Sequence, residues 1–189
     1  LYKIHKEMKE RPNLNELAKE IHNDNKLKGF HDVDWSDEHC LMLAICELCE
    51  AIEADRKGKR TKWDAYNQDL NWFCDWSRDS VGYKEKEIHA FAVYIKDTLE
   101  DELADSVIRL LDLAEARGVG ITTDKFTKTY SGSFTENIYN IMRAFIRPNG
   151  LGIKISVLIR DIEDLCLQMN IDLWLHVDLK LKYNKTRPY

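Results

Sequence analysis

Two short acidic pairs carry the chemistry this chain could do: Glu47-Leu-Cys-Glu50 and Glu102-Leu-Ala-Asp105. Residues three apart share a helix face, with Cβ atoms about 5–6 Å apart, so each pair presents two carboxylates together. The first pair is the only charge in the run Cys40–Ile52. On helical spacing, Leu41, Ile45, Leu48 and Ile52 form one stripe. Glu47 and Glu50 fall nearly opposite, beside Leu43 and Ala54, with no basic partner at i,i+4. Like charges so placed repel unless a proton or cation sits between them. The second pair heads a polar stripe of Glu102, Asp105, Arg109 and Asp112, next to Asp101 and backed by Leu99, Leu103, Ile108 and Leu111. Arg109 is expected to bridge Asp105 and Asp112. If the two helices pack side by side, four carboxylates converge. An all-oxygen donor set without His or Cys selects Mg²⁺ or Mn²⁺, not zinc.

The elements that must position these pairs are helices. The 189 residues include only 8 Gly and 3 Pro, too few breakers for many turns. With 44% hydrophobic and 32% charged residues, the chain has the composition of a globular protein. Asn13 or Asn15 caps a first helix reaching about Lys28, ended by Gly29. Ser36 caps a second, to about Arg56, with Asp37 and Glu38 favouring its positive end. Residues 60–90 read as an insertion with one short helix, packed by Trp63, Tyr66, Trp72, Phe73 and Trp76. A long helix over about 88–117 follows, ended by Gly118. Helices are expected at about 133–147 and 152–169, and a last one from Asp172 to about Asn184. No strand alternation or repeat is visible. The expectation is an all-α helical bundle in a single domain over residues 1–189.

The formal net charge of −5 argues against duplex nucleic acid as a partner. No apolar run approaches the ~18 residues of a membrane span, and Leu1–Arg11 does not have the pattern of a signal peptide. The five cysteines (Cys40, Cys46, Cys49, Cys74 and Cys166) are odd in number, which fits reduced thiols in a cytoplasmic setting. Cys46-x-x-Cys49 lacks the second pair a zinc site needs.

Glu47-Leu-Cys-Glu-Ala-Ile-Glu-Ala-Asp-Arg-Lys-Gly58 resembles the first acidic motif of the MazG-type all-α nucleoside-triphosphate pyrophosphohydrolases. Asp101-Glu-Leu-Ala-Asp-Ser-Val-Ile-Arg109 resembles their second motif. His22 and Lys28-Gly-Phe30 are similar to the segment before the first motif. Lys182-Tyr-Asn-Lys-Thr-Arg-Pro-Tyr189 resembles their terminal segment. Residues 60–90 and 119–170 depart from it, each exceeding a minimal core of that family.

The resemblance implies hydrolysis of a nucleoside triphosphate between its α- and β-phosphates. Mg²⁺ would be held by Glu47, Glu50, Glu102 and Asp105, with Glu47 orienting or deprotonating the attacking water. Lys182, Asn184 and Arg187 would contact phosphate oxygens. Lys180 and Lys185 read instead as a solvated helix end. His22, Phe30, His31 and Trp35 are candidates for the nucleobase, although Phe30 and Trp35 can equally staple their loop to the bundle. Trp63, Trp72 and Trp76 read as core of the insertion or an oligomer contact. His5, His39, His89 and His176 read as structural or exposed. Family members are commonly homodimers or dimers of dimers. Two other readings compete. One is a non-catalytic helical scaffold with surface acids. The other is a di-iron bundle, which would want Glu-x-x-His on two helices.

Overall fold

In the computed structural model, Asn13 Oδ1 accepts the backbone N–H groups of Asn15 and Glu16 and so starts helix α1, Leu14–Leu27. Ser36 does the same for α2, Asp37–Arg56, through the N–H of His39. The remaining helices are α3 (Trp63–Asn71), α4 (Val81–Tyr94), α5 (Leu99–Ala116), α6 (Phe134–Met142), α7 (Leu151–Gln168) and α8 (Leu173–Thr186). A capping box between Ser133 and Glu136 begins α6. The structure describes residues 8–71, 81–122, 127–143 and 145–187, and among these every regular element is a helix. His5, Trp72, Phe73, Cys74, Trp76, Pro188 and Tyr189 lie outside the described residues. No helix is long and apolar enough to cross a membrane.

The expected long helix over 88–117 is two helices. The chain breaks at Ile95–Thr98, where Asp97 takes φ +59°. Thr98 then caps α5 by accepting the N–H of Asp101. Three acids follow in the first turn, Glu100, Asp101 and Glu102, which suits the positive end of a new helix. The insertion also differs from expectation. It contributes α3 and most of α4, which pack on each other. Trp63 meets Tyr66 edge-on and lies near His176, so it belongs to that packing.

Helix α5 is the axis of the molecule. It packs against α1, α2, α7 and α8, and Leu99, Leu103, Val107, Leu110 and Leu111 are all fully buried on it. Each such side chain contributes about 1.5–3 kcal/mol through removal from water. A helix covered on most sides takes polar residues such as Asp101, Glu102 and Ser106 inside with it. A smaller core of Tyr66, Ala90, Phe91, Ile95 and Leu179 lies between the insertion and α8. Helix α8 serves both cores, since Leu173, Trp174 and Val177 belong to the main one.

Candidate metal centre and its cavity

Small residues let α2 approach α5. Ala44 and Ala51 are fully buried, and Ser106 Oγ donates to the Ala44 carbonyl at 3.1 Å. That contact sets the register that brings Glu47 beside Glu102 and Asp105. One oxygen from each of these three carboxylates lies within 4.8 Å of the others. Glu50 is exposed and stands outside this group. The single chain therefore assembles three of the four expected ligands. The fourth is one helical turn away.

The cluster is not left to repel itself. Lys180 reaches in from α8, its Nζ 2.8 Å from Asp101 Oδ2 and 2.6 Å from Asp105 Oδ2. Arg109 Nε lies 2.6 Å from Glu47 Oε1. When fully ionised, four carboxylates (Glu47, Asp101, Glu102, Asp105) thus face two cations, and 4 − 2 leaves two negative charges that only a proton or a cation can match. The excess shows in the acidities. Burial, with Asp101 and Asp105 nearby, pushes Glu102 up to about 8. Burial likewise raises Asp101 to about 6 against the pull of Lys180. Asp105 is raised by burial too. Burial alone would lower Lys180, but Asp105 and Asp101 hold it above the usual lysine range. Asp101 Oδ1 is buried without a hydrogen-bond partner. All-oxygen donors short of two positive charges fit one hard divalent ion. Glu100 plays a different part. Burial would raise its carboxyl, but Arg60 Nε at 2.6 Å and the Thr61 N–H at 3.0 Å outweigh this and hold it low. It fastens the segment after α2.

From Asp105 and Lys180 a cavity of about 860 Å³ runs along α5 past Ile108 and Arg109 to Asp112. Seven residues of helix rise about 10 Å, the scale of a nucleotide from phosphates to base. At the far end Asp112 gathers three partners. Its Oδ1 is 2.9 Å from His22 Nδ1 and 2.9 Å from His31 Nε2, and its Oδ2 accepts Asn25 Nδ2 at 2.8 Å. The two imidazoles lie 4.2 Å apart, centroid to centroid. Phe30 and Trp35 stand half exposed on the wall, and Trp35 stacks on His39 at 4.3 Å. Arg117 pins that loop through Asp37, Asp34 and the Trp35 carbonyl. Lys28 Nζ ties it to α8 at the Asn184 carbonyl.

The structure places His22, Phe30, His31, Trp35, Asn184 and Arg187 on this cavity. It does not place Lys182 there. That side chain is exposed and pairs with Asp178 one turn back. Lys180, expected to be solvated, is 6% exposed and lines the cavity instead. Residues two apart on a helix point roughly opposite ways, so only one of the two can face inward. The available signal was register: Leu173, His176, Val177 and Lys180 follow the i, i+3, i+4, i+7 pattern of a buried stripe. Arg109 also differs from expectation. It serves Glu47 across the helix pair, while Asp112 is taken by the histidines and Asn25.

No family model, characterised protein or solved structure matches the chain.

Proposed function

We propose that the chain is a Mg²⁺-dependent pyrophosphohydrolase that converts a nucleoside triphosphate to its monophosphate and pyrophosphate. The observation that carries the reading is the convergence of Glu47, Glu102 and Asp105 beside a cavity long enough for a nucleotide. The motif resemblance, which rests in part on the same acidic residues, points the same way. Glu47, Glu102 and Asp105 would hold the ion. Glu50, with its Cβ about 5–6 Å from that of Glu47, would join by turning its side chain. Bound Mg²⁺ neutralises phosphate charge and polarises the phosphorus.

The protein's own groups divide the remaining work. Glu47 is the carboxylate for water: it accepts a proton as the water oxygen bonds to phosphorus and the α–β anhydride bond breaks. Arg109 holds Glu47 in place through one oxygen and leaves the other available. Lys180 lines the phosphate end as a donor, and Asn184 and Arg187 line the same cavity. The histidine–asparagine–Asp112 end and the Trp35 wall take the nucleoside.

The resemblance also implies a cytoplasmic homodimer or dimer of dimers. Met42, Cys46 and Cys49 are exposed on one side of α2, the side that carries Glu50, and a second subunit would cover them. Light scattering in solution tests this.

The deciding experiment is a panel of canonical and modified nucleotides with Mg²⁺ or Mn²⁺, with products identified. Monophosphate plus pyrophosphate is expected from at least one member. No turnover across the panel, or release of a single phosphate, removes the reading. One observation favours the scaffold alternative: Lys180 and Arg109 already neutralise part of the cluster. A scaffold would show no rise in melting temperature with divalent cations.

A further inference from the structure

The histidine end of the cavity has a donor set unlike that of the carboxylate end. His22 Nδ1 from α1 and His31 Nε2 from the following loop both reach Asp112 Oδ1 at 2.9 Å, and His31 Nε2 also lies 3.1 Å from Oδ2. One ligand atom from each of the three residues lies within 4.8 Å of the others. We propose that His22, His31 and Asp112 form a second cation site, for a borderline transition-metal ion such as Zn²⁺, Co²⁺ or Ni²⁺.

Three observations carry this. The first is chemical: two imidazoles and a carboxylate suit these ions and not Mg²⁺. The second is geometric. Ligands about 2.0–2.1 Å from a tetrahedral ion stand about 3.3–3.4 Å apart. The 2.9 Å contacts to Asp112 therefore need to open by about 0.4 Å, while the two ring nitrogens, already within 4.8 Å of each other, set the rest of the adjustment. The third is the surroundings. Asn25 Nδ2 holds the other Asp112 oxygen at 2.8 Å, the kind of support that orients a ligating carboxylate. All these residues face the cavity, so a fourth coordination position stays open to water or a ligand. The site lies about 10 Å along α5 from Asp105, and it stands whether or not the chain hydrolyses nucleotides.

Cobalt binding tests it, in a background where Cys40, which lines the same cavity, Cys74 and the exposed Cys46 and Cys49 are all changed to Ser, so that only the buried Cys166 keeps its thiol. His22→Gln and His31→Gln each keep an amide N–H for Asp112 but remove the imidazole nitrogen. With Mg²⁺ in large excess to fill the carboxylate cluster, one Co²⁺ per chain with a visible d–d spectrum is expected, together with displacement by Zn²⁺ and affinity about tenfold weaker or worse in either Gln variant. Asp105→Asn should leave that affinity within about twofold, since distant sites act independently. Circular dichroism confirms that each variant is folded. Gln variants that bind as the parent does, loss of binding in Asp105→Asn, or no cobalt spectrum at all would overturn the proposal and leave the cluster as a hydrogen-bonded brace.

Discussion

Lys180 on α8 places its ammonium 2.6 Å from Asp105 Oδ2 on α5, deep in the interface of the two helices. Asp101, on the same ammonium at 2.8 Å, is fully buried. This lysine is the charge that lets α5 carry acids into the core. Removing it as Lys180→Met leaves two carboxylates without their partner. Breaking a buried pair from one side costs about 3–5 kcal/mol, and the lower end applies here because Asp105 is partly accessible and can take up a proton. Urea denaturation at pH 7 in EDTA should show the loss. Adding Asp101→Asn to Lys180→Met should recover a measurable part of it. Equal stability of Lys180→Met and the parent would mean the pair does not hold the interface.

The carboxylate cluster predicts a graded response to cation. At Mg²⁺ about 100 times its dissociation constant, binding to the folded state alone adds about 2.7 kcal/mol. For a chain of this size that raises the melting temperature by about 5–10 °C. Glu102→Gln and Asp105→Asn should abolish the rise. Glu50→Gln should retain part of it, because Glu50 starts exposed and outside the cluster and joins the ion only by turning its side chain. An equal loss in Glu50→Gln would show that a rearranged or oligomeric site uses all four acids.

The break between α4 and α5 makes a separate prediction about the backbone. Asp97 sits in the left-handed region at φ +59°, and its N–H donates to Asp101 Oδ2 at 3.0 Å. A β-branched side chain is strained there by about 1–2 kcal/mol, whereas glycine is not. Asp97→Val should lower the unfolding free energy by that amount, read as a lower denaturation midpoint at unchanged slope. Asp97→Gly should be neutral or slightly stabilising, since the exposed ion pair it loses with Lys96 contributes little. The opposite ranking would mean the turn is not fixed as described.

The helix starts were legible where a capping residue preceded an apolar period, as at Asn13 and Ser36. The break at Ile95–Thr98 was hidden because Ile95 and Leu99 are four apart and continue the period across it. Thr98 followed by three acids was the competing signal, and capping won over periodicity. Spacing alone pairs Glu102 with Asp105 and Glu47 with Glu50; that Glu47 meets the second pair while Glu50 stands outside follows from the packing of α2 on α5. The Asp112 cluster has no such spacing signal: its partners lie 90, 87 and 81 residues away, and only the packing of α1 on α5 unites them. Lys180 looked solvated because Lys182 and Lys185 surround it, yet burial on a helix follows register and not local composition.

Glu102 gives the cluster a pH dependence whose sign is fixed. Its usual value is 4.5, and burial beside Asp101 and Asp105 raises it to about 8 in the folded chain. The folded state therefore keeps a proton that the unfolded state has released between those limits. That contribution to stability is complete below about pH 4.5 and is lost as pH rises to about 8. Glu102→Gln cannot ionise. In EDTA, the stability of the Gln variant relative to the parent should climb steadily from pH 5 to 8 and then level off. Mg²⁺ competes with the same proton, so its binding to the parent should strengthen over this range and release protons, as calorimetry in buffers of different ionisation enthalpy would register. A parent-to-variant difference that stays flat from pH 5 to 8 would show that Glu102 is already ionised in the folded chain.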